Sequence, residues 1–306
     1  MSISYEGKVA IVTGAGGGLG RSHALELAAR GAKVMVNDLG GDVHGEGGSS
    51  SAAQAVVKEI VDAGGEAIAH GANVCDEAQV ADMVKKTMDM WGRVDILINN
   101  AGVLRDKTFV KMELSDFEFV MQVHVMGAVT CTKAVWDIMR EQAYGRIVMT
   151  TSSSGLYGNF GQSNYGAAKM ALVGFMNTLC LEGGKYNINV NCLAPTAATR
   201  MTEGLMPQEA LDVLTPESVT AGVLTLCDDD APNRTILCAG GGGFARAILY
   251  ETDGIYLTPD QQTPENVRAA IADVDNPEGQ QEFVQGGQQT MKFVTKAAAA
   301  LGVKVG

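Results

Sequence analysis

Short β-branched apolar runs alternate with longer segments of helical period through the first 240 residues or so. No other feature restricts the possible folds as strongly. Residues 8–12, 33–37, 67–70, 94–98, 146–149 and 188–193 read as strands, and their nearly continuous apolar character suits strands buried on both faces. Residues 21–30, 50–63, 77–91, 115–142 and 164–185 read as helices, with Gly31, Gly64 and Gly92 where C-terminal caps fall. Such alternation requires right-handed crossovers, and so predicts an α/β fold with a doubly wound parallel sheet of Rossmann type. A last strand at 235–239 brings the sheet to about seven strands. From about residue 245 the composition shifts to prolines (Pro259, Pro264, Pro277), glutamines and a helical run at 291–301. Residues 1–244 therefore read as one domain, and 245–306 as a C-terminal extension that packs on it or on a neighbouring subunit.

The first strand runs into Thr13-Gly14-Ala15-Gly16-Gly17-Gly18-Leu19-Gly20, which opens a helix. Positions without side chains let the backbone approach a pyrophosphate, and the helix N-terminus offers N–H donors and the positive end of its dipole. Gly14, Gly18 and Gly20 fit G-x-x-x-G-x-G, with Leu19 between the last two. The next strand ends at Asp38, where a carboxylate accepts hydrogen bonds from an adenosine ribose and repels a 2′-phosphate. No Lys or Arg lies within residues 15–19 or directly after Asp38. The expected cofactor is NAD rather than NADP.

Further along, Ser152 stands thirteen residues before Tyr165, and Lys169 four residues after it. On a helix Tyr165 and Lys169 share a face. A phenol titrates near pH 10, and a nearby ammonium moves that value toward neutrality, where the group can exchange protons with an alcohol or carbonyl.

Composition excludes several classes. The net charge of −12 gives no attraction to phosphate backbones or anionic lipids, so neither nucleic acid nor membrane surface is an expected partner. The six cysteines form no C-x-x-C pair, and His23, His44, His70 and His124 have no metal spacing, so no metal is expected. Ser154-Gly155 lacks the upstream glycine of a nucleophile elbow. The N-terminus has no apolar signal core, no apolar run reaches spanning length, and the C-terminus carries no Ser-Lys-Leu address. The default expectation is a cytoplasmic protein.

The glycine pattern, Asp38, Asn99-Asn100-Ala101-Gly102, and the set Ser152, Tyr165 and Lys169 together resemble the short-chain dehydrogenase/reductase family over about residues 7–241. Residues 37–42 with the glycine-rich loop that follows, Gly102-Val103-Leu104-Arg105-Asp106, and Tyr157-Gly158-Asn159-Phe160-Gly161-Gln162 resemble one of its groups. That group is the dehydrogenase portion of peroxisomal multifunctional enzyme type 2, also called 17β-hydroxysteroid dehydrogenase type 4. With the hydratase and sterol-carrier portions missing, the resemblance implies a free-standing enzyme of bacterial type.

The resemblance implies NAD-dependent oxidation of a (3R)-hydroxyacyl-CoA, with a 17β-hydroxysteroid as the alternative apolar substrate. It makes Tyr165 the general acid/base. Lys169 lowers the tyrosine pKa and holds the nicotinamide ribose, and Ser152 donates to the substrate oxygen. His124 occupies the place of the family's fourth catalytic residue, an asparagine, and would anchor a water chain to Lys169 or relay protons itself. Asn100, Ala101 and Gly102 line the adenosine ribose side, Asn73 and Val74 the adenine, and Pro195 and Thr199 the nicotinamide carboxamide. Residues 199–216 form an apolar lid, and Arg105 or Lys107 could meet a CoA phosphate. The family assembles as homodimers or homotetramers through helices that include 115–142 and 164–185. A non-catalytic NAD sensor is the rival of a different class, but a sensor needs only the cradle.

Overall fold

A computed structural model of the chain describes residues 2–45, 47, 49, 51–198 and 207–304. Its internal contacts divide it into two compact units, Met1–Arg246 and Ala247–Gly306.

The first unit contains β1 (Val9–Thr13), β2 (Lys33–Asn37), β3 (Glu66–His70), β4 (Ile96–Asn99), β5 (Gly145–Thr150), β6 (Ile188–Pro195), β7 (Ile236–Gly240) and β8 (Gly243–Ala247). They form one sheet in the order β3-β2-β1-β4-β5-β6-β7-β8. Every pairing from β3 through to β7 is parallel. The chain winds outward from β1 to β3, then crosses back to lay β4 on the other side of β1. The crevice outside the carboxyl ends of β1 and β4 is the switch point where such sheets bind ligands.

The sheet has eight strands, one more than the pattern suggested. β8 follows β7 through Gly241 and Gly242, whose φ values of 56° and 78° suit a tight two-residue hairpin turn. β8 is exposed over Gly243–Arg246, so no burial pattern marks it in the sequence.

The helices are α1 (Gly18–Ala29), α2 (Ser51–Asp62), α3 (Glu77–Trp91), α4 (Leu114–Met121), α5 (Gly127–Gln142), α6 (Ser153–Tyr157), α7 (Ser163–Gly183), α8 (Gln208–Val213) and α9 (Pro216–Cys227). One face of the sheet, carrying Val12, Val36, Ile98 and Val148, packs with Leu27 of α1, Val56 of α2 and Val223 of α9 in a single buried cluster. The alternating residues Ile11, Met35 and Leu97 are also fully buried, as a sheet covered on both faces demands.

Two local departures bear on the site. The helix expected over 115–142 is interrupted by a π-helical turn at Gln122–Met126, between α4 and α5. The stretch Gln208–Cys227 reaches a mean hydropathy of 1.2, enough by length and composition for a membrane span. However, the helix breaks after Val213, Pro216 starts a new one, and α9 buries Val219, Val223 and Leu226 in the core.

The second unit carries α10 (Pro264–Ala269), α11 (Ile271–Val274) and α12 (Gly286–Leu301). A bridge between Glu251 and Gln281 and ion pairs from Lys292 to Glu251 and from Lys296 to Asp253 hold it together internally.

Candidate active site

The glycine turn between β1 and α1 is shaped by what packs beneath it. Gly14 has φ 63°, and a Cβ there would lie 2.8 Å from the Ala101 Cα. The Asn100 side chain donates to the carbonyls of Thr13 and Gly14, each at 3.0 Å, while the Thr13 hydroxyl accepts from the N–H groups of Asn100 and Ala101. The segment after β4 thus fixes the curvature of the first loop. Gly20 serves packing rather than ligand contact, since its Cβ would stand 2.3 Å from the Gly14 oxygen.

Asp38 ties the cradle to the next strand. Its Oδ2 accepts from the Gly16 N–H and its Oδ1 from the Gly40 N–H, both at 2.7 Å. Each oxygen keeps a second lone pair for a ligand.

A cavity of about 490 Å³ opens over this cradle, within the range of cofactor sites. Gly14, Gly18, Leu19, Asp38, Asn73, Val74, Asn100, Ala101 and Gly102 line it toward one end, and His124, Tyr165, Lys169 and Pro195 toward the other. Gly14, Gly17 and Gly18 line the cavity without side chains, and the turn opens directly into the N-terminus of α1, so the residues fit a dinucleotide.

At the far end α7 presents Tyr165 and Lys169 on one face, as the i, i+4 spacing predicted. Ser152 is the N-cap of α6, and its Oγ accepts from the Ser154 N–H at 3.2 Å. A hydrogen bond from Ser152 pulls the Tyr165 pKa down, but burial outweighs it and pushes the phenol up to about 12. Lys169 is buried, donates to the Thr150 carbonyl at 2.6 Å, and is pushed by burial down to about 7. Its Nζ lies 5.4 Å from the Tyr165 ring centroid. The sequence expectation that Lys169 draws the phenol toward neutrality is not what the isolated chain shows, because desolvation dominates both groups.

His124 sits in the π-helical turn, 3% exposed, with its ring edge-on to Tyr165 at 5.3 Å between centroids. Its Nε2 lies 2.8 Å from the Val103 carbonyl and 3.1 Å from the Val103 N–H, a contact that one tautomer makes as donor and the other as acceptor. Burial lowers its pKa to about 3, so the ring is neutral. Its Nδ1 has no protein partner among the described residues, and neither do Asn99 Oδ1 and Thr150 Oγ1. All three residues line a second cavity of about 10 Å³, shared with Lys169.

Asn73 is at the cavity as expected, but its Oδ1 already accepts from the Cys75 N–H at 3.0 Å, forming a local turn. Thr199 and the first part of the expected lid lie outside the described residues. Lys107 is paired with Asp116 at 2.9 Å. Two groups of residues were missed. The loop after Asp38 contributes Leu39, Gly41, Asp42, Val43 and Gly45 to the cavity wall, and α4 contributes Phe119. Its run of glycines was the visible signal. Gln162 joins three segments around Ser152: its amide donates to Asp106 and accepts from Ser154 and Asn159, contacts that spacing alone does not reveal.

The family profile described as short chain dehydrogenase matches residues 8–210. A short-chain type dehydrogenase/reductase of Mycobacterium tuberculosis is 51% identical over 248 residues, covering 81% of this chain and 87% of the relative. The peroxisomal multifunctional enzyme A of Dictyostelium discoideum is 48% identical over 90% of this chain, which spans 63% of that protein. The solved structure of full-length peroxisomal multifunctional enzyme type 2 from Drosophila melanogaster superposes with a TM-score of 0.82 at 35% identity, covering 98% of this chain and 51% of that one.

Proposed function

The chain belongs to the short-chain dehydrogenase family, oxidoreductases acting on CH–OH groups, and we propose that it oxidises a (3R)-hydroxyacyl-CoA to the 3-ketoacyl-CoA with NAD. One observation carries the reading: Tyr165, hydrogen-bonded to Ser152, and Lys169 stand at one end of a cavity whose other end is anchored by Asp38.

Gly14, Gly18 and Leu19, with the N-terminus of α1, would hold the pyrophosphate, and Asp38 would accept from the adenosine ribose. No arginine, and no lysine other than Lys169, lines the cavity among the described residues, which supports NAD over NADP. When bound, the nicotinamide supplies the hydride acceptor. Tyr165 takes the proton of the substrate hydroxyl, and Ser152 donates to the same oxygen as it becomes a carbonyl. With a phenol near 12, oxidation depends on stabilising the phenolate, and Lys169, whose Nζ lies 5.4 Å from the ring centroid, is placed to do so in the fraction that is protonated around its lowered pKa of about 7. His124 acts as a neutral ring. The second cavity is close to the ~10–15 Å³ that one water requires, so a water there would connect His124 with Lys169. The substrate class rests on the resemblance to the multifunctional enzymes.

Tyr165→Phe is expected to reduce NADH formation by ~10²–10⁴-fold, the usual weight of a general acid/base, while NADH still binds. An active variant overturns the mechanism. Turnover of (3R)-hydroxyacyl-CoA esters measured beside 17β-estradiol tests the substrate, and a clear preference for the steroid reverses that assignment.

A further inference from the structure

The loop that follows β2 does more than return the chain to α2. Its two ends are held together, since the Ser49 N–H donates to the Leu39 carbonyl at 2.9 Å. A side chain at Gly40 would collide with Ser49, with a Cβ 1.8 Å from its oxygen, so the neck of the loop closes only with glycine there. At its base Asp38 holds the Gly40 N–H with one oxygen and the cradle's Gly16 N–H with the other.

The tip of the loop reaches the far wall of the cavity. The Val43 carbonyl accepts from the Leu104 N–H at 2.9 Å, and the His44 ring donates through Nδ1 to the Leu104 carbonyl at 3.2 Å. Gly45, at φ 80°, lies against Phe119 of α4 so closely that a Cβ would stand 2.7 Å from the ring. Asp42, Val43 and Gly45 line the same cavity as Gly14 and Gly18, while Val103 and Phe119 line it from the side on which the tip docks. The loop therefore spans from the rim that carries Asp38 to the rim formed by the segment after β4.

We propose that residues 39–45 are a strap over the adenosine half of the dinucleotide, a wall of that site that must undock from Leu104 and Phe119 for the cofactor to exchange. The inference rests on the dinucleotide reading given above. Asp38, Asn73 and Val74 mark this end of the cavity, and the strap adds Val43 as an apolar surface for a flat base. Hydrogen bonds to Leu104 and a glycine–ring contact at Phe119 dock the tip, contacts of the kind that cofactor and substrate lids break when they open.

Stopped-flow fluorescence of NADH with the intact chain tests this. Gly45→Val forces the tip away from Phe119, and His44→Ala removes one docking bond without backbone strain. Loss of a single hydrogen bond corresponds to ~5-fold in an equilibrium. His44→Ala is therefore expected to raise the NADH dissociation rate about fivefold, and Gly45→Val at least as much. Melting curves establish which variants are folded, and His44→Ala keeps the test decisive should Gly45→Val not fold. A folded variant that releases NADH at the wild-type rate overturns the strap. If the wild-type chain does not bind NADH at all, the dinucleotide reading itself falls, which is a separable result.

Discussion

Gly102 and His124 form one structural unit. A Cβ at Gly102 would stand 2.3 Å from the His124 Cε1, so the ring, buried and held at Nε2 by Val103, would have to shift off that bond. Gly102→Ala is expected to destabilise the fold by about 1–3 kcal/mol, the usual cost of overpacking, and to lower turnover because the displaced ring faces Tyr165. Urea titration checks the first part, and a double variant with His124→Asn should recover much of the stability. In the sequence each residue was visible separately, Gly102 as part of a motif and His124 as a departure from one. Their contact depends on how the segment after β4 meets the π-helical turn between α4 and α5, which no local spacing encodes. Arg146 is a similar case. It is 1% exposed, and its guanidinium donates to the main-chain carbonyls of Gly145, Asn187, Asp228 and Asp229, partners that only the packed chain brings together.

Among the elements, those with strong periodicity were legible. The α3 span was expected and found over the same residues, Glu77–Trp91, closed by Gly92 in the left-handed conformation. Elements set by tertiary contacts were not. The π-helical turn at Gln122–Met126 has an unremarkable helical sequence, and the His124 contact to Val103 falls within the turn. α9 was missed because its residues followed an expected lid. It is nevertheless well specified, with Pro216 at its first turn and the Thr215 hydroxyl accepting from the Ser218 N–H. Thr215→Ala is expected to cost about 0.5–2 kcal/mol, read as a lower melting midpoint. Because α9 packs on α1, the helix that opens from the cradle, the same variant should also weaken NADH binding. Unchanged stability would mean that α9 does not depend on its cap.

For the whole molecule, pH is a global probe of burial. His23 is fully buried between α1 and α9, with Nδ1 bonded to Thr220, and burial lowers its pKa to about 3, as it does for His124. The unfolded chain protonates these rings near pH 6.5, whereas the folded chain holds them neutral, so protons favour the unfolded state as pH falls. The stability that depends on these two rings staying neutral should be fully present above about pH 6.5 and decline progressively on acidification toward pH 3. Urea midpoints between pH 8 and pH 5 check this, and His23→Asn should flatten the slope; a flat wild-type profile would refute the burial of neutral histidines. The sequence by itself determined the alternating parallel architecture, the phosphate cradle, Asp38 and the set Ser152, Tyr165 and Lys169, because each depends on local chain geometry: strand period, glycine in a tight turn, and helical spacing. The tertiary structure decided the strap across the cavity, the pairing of Gly102 with His124, the eighth strand and the direction in which Tyr165 and Lys169 titrate. Those depend on which distant segments exclude water from each other, and desolvation is a property of the packed volume rather than of any stretch of chain.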